Sequence, residues 1–146
     1  MMAMFTGATV QATTPDPIYS PNDAALVALV EPELRRLSHE HRDAMISAHT
    51  TLGAYVAVLG SEQVIGFAAA ELVDCFAYDL IHEDDLVIAA QSHRRRLQGE
   101  DEPRLVRYRL RGADASYVAV ETSTVLRRKG ELEALICVTR RASAPR

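Results

Sequence analysis

Leu80-Ile81-His82-Glu83-Asp84-Asp85-Leu86 is the stretch on which the reading of this chain turns. The acidic pair Asp84 and Asp85 stands where the first turn of a helix needs acceptors for its free N–H groups and negative charge against its dipole. Leu86, Ile88, Ala89, His93 and Leu97 follow at helical spacing, and Gly99 supplies the stop. This predicts the longest helix of the core, set between a helix-rich first half and a second half written in β-alternation.

Downstream, the runs Arg104 to Arg111, Tyr117 to Leu126 and Leu132 to Arg140 are β-prone, joined by a Gly112-containing turn and by Lys129-Gly130. Consecutive strands with short turns are antiparallel neighbours, so these predict a meander that buries one face under the preceding helices. Upstream, Met45 to His49 and Ala54 to Val58 flank Thr50-Thr51-Leu52-Gly53, a composition suited to a hairpin. Ser61 reads as the cap of a helical turn ending at Gly66, and Ala68 to Val73 as another short helix.

Residues 22–40 predict an amphipathic helix capped by Asn22, with Leu26, Leu29, Val30, Leu34 and Leu37 on one face and a bend or restart near Pro32. Residues 1–21 hold Pro15, Pro17 and Pro21 among Thr and Ala, which predicts a flexible arm, and residues 142–146 read as a tail.

The chain has 146 residues, 48% of them apolar, enough for one domain with one substantial core. A formal charge of −4 gives no general attraction to nucleic-acid backbones or anionic membranes. Cys75 and Cys137 match neither metal-ligand spacing nor a disulfide framework, and read as reduced thiols. Without a leader pattern or an apolar stretch near the roughly 20 residues needed to span a bilayer, the expected compartment is the cytoplasm.

The element order β-β-α-α-α-β-β-β is that of an α+β domain: a five-stranded antiparallel sheet with short helices on one face and the N-terminal helix added. At residues 41–141 the chain resembles PAS domains with their C-terminal PAC strands. The residues that carry the likeness are Tyr55-Val56 leading to Ser61, then Gly66-Phe67, Glu71-Leu72-Val73, the Leu80 to Asp85 helix start, Gly99, and Tyr117 to Glu121. Glu83 departs from the proline usual at that place. The resemblance implies a non-catalytic sensory or interaction module of bacterial-style signal transduction. It would act by homodimerisation or by docking to another signalling protein, and the apolar face of the N-terminal helix, Leu26, Leu29, Val30, Leu34 and Leu37, is the surface expected to carry that contact. The alternative it implies is a receptor with a small organic ligand in an internal cavity lined by Phe76, Tyr78, Val118 and Val120.

Cofactors follow the same positions. By the resemblance, the adduct-forming cysteine of flavin photosensors falls on Ala77, leaving Cys75 out of register. The haem-ligating histidine falls near Ile88, with His93 more than a turn later, so neither flavin nor haem is expected. Along the Tyr117 strand, either Val118, Val120 and Thr122 or Tyr117, Ala119 and Glu121 face the cavity.

Other chemistry is weak. His39 and His41 are two apart on a helix, so their imidazoles diverge and no metal site is expected. Glu40 between them gives the look of a phosphoacceptor box, but the kinase parts it requires are missing. His82, Asp84 and Glu121 have capping or rim explanations, so no catalytic residues are expected. Arg94, Arg95 and Arg96 read as a solvated cationic helix end.

Overall fold

The computed structural model describes residues 16–99 and 105–143. Their antiparallel sheet has six strands rather than five, because Ile18–Tyr19 (β1), inside the expected arm, pairs with the edge of the sheet. Proline-rich composition argued for a loose segment. Its two apolar residues instead find Val58 and Ala57 as partners, and Ser20 N–H donates to the Val56 carbonyl at 2.7 Å. Residues 1–15, the rest of that arm, and most of the expected tail lie outside the described residues.

Helix α1, Ala24–Glu40, starts one residue later than expected: Asp23, not Asn22, is the cap, accepting from Leu26 N–H at 3.4 Å. It runs through Pro32 without a restart. Proline removes one N–H, but Pro32 and Ala28, whose carbonyl loses that donor, are both exposed, so water can replace the bond. The apolar stripe works as read, with Leu26, Val30, Leu34 and Leu37 buried and Leu29 half-buried.

The hairpin of β2 (Met45–His49) and β3 (Tyr55–Leu59) appears where expected. Its register shifts between Ala48 and His49, so that Ala48 pairs with Ala57 and His49 with Tyr55. Two short helices follow, α2 (Ser61–Ile65) and α3 (Ala69–Leu72). Ser61 is not the cap of α2: its hydroxyl donates to the Phe67 carbonyl at 2.6 Å, folding the exit of the helix back on its start. Glu71 reaches back to accept from Ala68 N–H at 2.8 Å and does cap α3.

After 3-10 turns at Ala77–Asp79 and Glu83–Asp85, α4 spans Leu86–Leu97. The acidic pair does not supply the acceptor at this helix start. His82 Nδ1 accepts from Asp84 N–H at 3.1 Å, and Asp85 makes no capping bond. The strands β4 (Val106–Arg111), β5 (Tyr117–Lys129) and β6 (Leu132–Arg141) form the expected meander.

The sheet order is β1-β3-β2-β6-β5-β4, which sets the first hairpin against the last strand. Both faces are covered over the centre, and every residue of β2 and β3 is buried. On one face α1 packs over Ile46, Ala48, Ala57, Leu59, Ala134, Ile136 and Val138. On the other, Met45, Tyr55, Val58, Leu110 and Val120 meet Val64, Ile65, Leu72 and Leu80 from the helical connection. That second face contains the cavity.

Candidate functional site

Strand pairing aligns the cavity-facing residues in rows across the sheet. Ser47 pairs with Cys137, and Cys137 with Thr124; one step along, Met45 pairs with Thr139 and Thr139 with Thr122. Residues two apart on a strand share a face, so four strands together present Ser47 and His49, Cys137 and Thr139, Thr122 and Thr124, and Tyr108. Helix α4 closes over them with Ala89, Ser92, His93 and Arg96. The space enclosed is about 80 Å³, room for several waters or a small organic molecule.

Most of these polar groups are linked. The Tyr108 hydroxyl donates to Thr122 Oγ1 at 3.0 Å, and Thr122 shares a 3.0 Å bond with Thr139. Thr124 lies 3.3 Å from the Cys137 thiol, and Ser47 lies 2.9 Å from His49 Nε2. Tyr55 is not linked in this way. Only 3% exposed, it tilts against the His49 ring at 4.5 Å, and its hydroxyl has no hydrogen-bond partner among the described residues.

The mouth is tied by one imidazole. His93 Nε2–H donates to the Thr51 carbonyl at 2.7 Å, and Nδ1 bonds the Tyr78 hydroxyl. Because a carbonyl can only accept, Nε2 carries a proton, and in the neutral ring Nδ1 accepts from the tyrosine. Helix α4, the first hairpin and the 3-10 turn therefore meet at one side chain. Gly53 lets them approach: its φ is +93°, and an added Cβ would sit 3.0 Å from the Tyr78 ring.

Burial holds these groups uncharged. Desolvation lowers the His49 pKa to about 4, the neighbouring His93 adding to the effect and a backbone contact at Gly53 opposing it. Burial also pushes the Tyr55 and Tyr108 hydroxyls well above their ordinary range and the Cys137 thiol up to about 11. Such groups offer hydrogen bonds; a protonated thiol and a neutral, low-pKa imidazole do not make a nucleophile and base.

Of the residues expected at the cavity, Tyr78 lines it. Val118 and Val120 face the same side, resolving the open register of β5 in favour of the valines, but they sit in the packed core beside the cavity. Phe76 is a correction: it is 45% exposed and is not part of the lining, and its backbone bridges to Ala54. Arg96 is another, because it is buried and lines the cavity while Arg94 and Arg95 remain exposed. Glu121 faces away, 3.5 Å from Arg107, and His82 and Asp84 form the helix start.

Ser47, His49, Tyr55, Tyr108, Thr124, Cys137 and Thr139 escaped sequence reasoning as cavity residues. The available signal was a polar residue at every second position of otherwise apolar strands, as in Met45-Ile46-Ser47-Ala48-His49. Cys75 is exposed, its thiol directed at the Glu71 carbonyl, and no described cluster of three or more His, Cys, Asp or Glu could hold a metal. No described helix is long and apolar enough to cross a membrane.

No curated protein matches the chain. Among solved structures, it is similar to the PAS-B domain of Drosophila melanogaster Cycle in a tryptophan-to-alanine variant with bound glycerol. That likeness has 24% identity and a TM-score of 0.59, and covers 67% of this chain and 99% of that one. The wild-type Cycle PAS-B with bound ethylene glycol gives 22%, 0.57, 67% and 99% in the same order. The PAS domain of an HTR-like protein from Haloarcula marismortui gives 19%, 0.57, 77% and 94%. A family model described as the PAS fold matches residues 60–139. With its antiparallel sheet and the short helices over one face, the chain belongs to the PAS family, whose domains are generally non-catalytic sensory and signalling modules and commonly mediate protein association.

Proposed function

We propose that this chain is a cytoplasmic, non-catalytic sensor that takes a small uncharged molecule rich in hydrogen-bonding groups into the cavity. It reports occupancy by homodimerisation or by docking to another signalling protein. The observation that carries the reading is the Tyr55 hydroxyl, which has no hydrogen-bond partner among the described residues and belongs to the lining of a cavity that also holds Ser47, His49, Tyr108, Thr122 and Thr139. A ligand hydroxyl or amide there would give that hydroxyl a partner. Uncharged ligands are favoured because the neutral state of His49, Tyr55, Tyr108 and Cys137 leaves those groups unable to offset a buried charge, and Arg96, the cation in the lining, already has an interaction of its own. The glycerol and ethylene glycol bound to Cycle PAS-B are molecules of this chemistry.

Flavin and haem fit less well. Ala77 has no thiol, and both ring nitrogens of His93 are already engaged. Output to a second copy or another protein falls to the exposed side of α1, because Leu26, Val30, Leu34 and Leu37 are taken up by the chain's own sheet.

The test is a thermal-shift panel of small polyols and amides on wild type and Tyr55→Phe. A specific ligand raises the wild-type melting temperature by mass action and raises that of the variant less. Equal shifts for the two proteins across the panel would contradict the reading, since general solvent stabilisation acts on both alike.

A further inference from the structure

We propose that the tip of the β5–β6 hairpin is a clamp that couples α4, whose inner face lines the cavity, to α1 on the opposite face of the sheet. It rests on the cavity reading for what displaces α4, whereas the coupling itself needs no ligand. The pairing of β4 with β5 stops at Thr122, and that of β2 with β6 stops at Leu135. Past those points the hairpin, from Leu126 to Lys129 and back through Leu132 to Ala134, pairs among the described residues only with itself.

Consecutive residues on a strand point to opposite faces, and at this tip both are arginine. Arg127 turns to α1, where its Nε and Nη2 donate to the two Glu33 carboxylate oxygens at 2.6 and 2.7 Å. Such a two-pronged pair fixes orientation as well as distance. Arg128 turns to α4, where its Nη2 donates at 3.1 Å to the Leu97 carbonyl. That carbonyl belongs to the last turn of the helix, which has no intrahelical donor for it. Glu133, across the hairpin, bonds the Arg128 Nε and holds the side chain in place.

Leu97 follows directly on Arg96, which lines the cavity, and His93 at the mouth is one turn earlier. A displacement of the end of α4 therefore acts on Arg128, and one peptide away on Arg127 and Glu33. Glu33 lies in the middle of α1, so the clamp sets how that helix sits on the sheet.

Hydrogen exchange read by mass spectrometry on the full chain tests this with Arg128→Ala and Glu33→Ala, both at surface contacts that leave the core intact. If the clamp couples the helices, Arg128→Ala speeds exchange in the last turn of α4 and also around Glu33. Glu33→Ala does the reverse, because coupling between sites is reciprocal. The remote effect should be roughly two- to five-fold, the scale of a surface ion pair, with Ile46 in β2 unchanged. The double variant should exceed neither single variant by the full product. Effects confined to the mutated helix would overturn the proposal. So would a uniform acceleration that includes Ile46, which would mean that global stability alone links the two helices. Failure of the cavity reading would leave all these rates unaltered.

Discussion

The carboxylate of Asp85 accepts three hydrogen bonds from Arg109: from its backbone N–H at 2.8 Å and from Nε and Nη2 of its guanidinium, each at 3.0 Å. Arg109 lies on β4, an edge strand whose unpaired backbone would otherwise invite another chain. The segment before α4 covers that edge. Arg111 N–H donates to the Leu80 carbonyl at 2.8 Å, and His82 N–H donates to the Arg109 carbonyl at 2.9 Å.

Asp85→Ala should therefore lower stability by about 1–2 kcal/mol, the range for hydrogen bonds to a charged group after discounting a partly exposed partner. A lower urea midpoint with an unchanged slope would show it. The Arg109 guanidinium and N–H hold the Asp85 pKa below the ordinary carboxylate range. Its contribution is thus fully present above the ordinary value and lost as pH falls through the lowered one, a loss the alanine variant should not show.

His49 supplies a second, separate acid sensitivity. Its folded pKa of about 4 lies below the unfolded value of 6.5, so the unfolded chain binds more protons between the two. Stability should be level above pH 6.5 and fall toward pH 4, by on the order of 3 kcal/mol in all. Denaturant melts across that window should be flatter for His49→Gln; a wild-type profile level down to pH 4 would contradict the buried neutral imidazole.

Leu34 has no exposed surface and lies between α1 and the sheet. Leu34→Ala should cost about 3 kcal/mol, as for other buried leucines. Light scattering alongside thermal melts separates the two roles the leucine stripe could have. The structure expects destabilisation of the fold before any change in mass, and a mass change at undiminished stability would place Leu34 between subunits.

Much of the fold was legible because its signals are local. The first hairpin, the meander and the stripe of α1 follow from alternation, turn residues and helical spacing, each contained in a few residues. The cap of α4 was misread because Asp84 and Asp85 carry a generic helix-start signal, while the partner that captures Asp85 is Arg109, distant in sequence. Strand β1 was missed because two residues have no periodicity, and their pairing depends on the exposed edge of β3. The cavity was the least legible part. Ser47, Cys137 and Thr124 become neighbours only through the registers of three strands, and Arg96 is told from Arg94 and Arg95 only by the orientation of α4.

What meets the Tyr55 hydroxyl decides whether the cavity holds a ligand. Removing an unpartnered hydroxyl should not weaken the empty fold, so Tyr55→Phe is a clean control for native mass spectrometry of the purified protein. Wild type is expected to carry a small non-covalent adduct, released on denaturation and reduced or absent in the variant. Bare mass for wild type and variant alike, in protein shown to be folded, would contradict the claim that this cavity exists to hold a ligand.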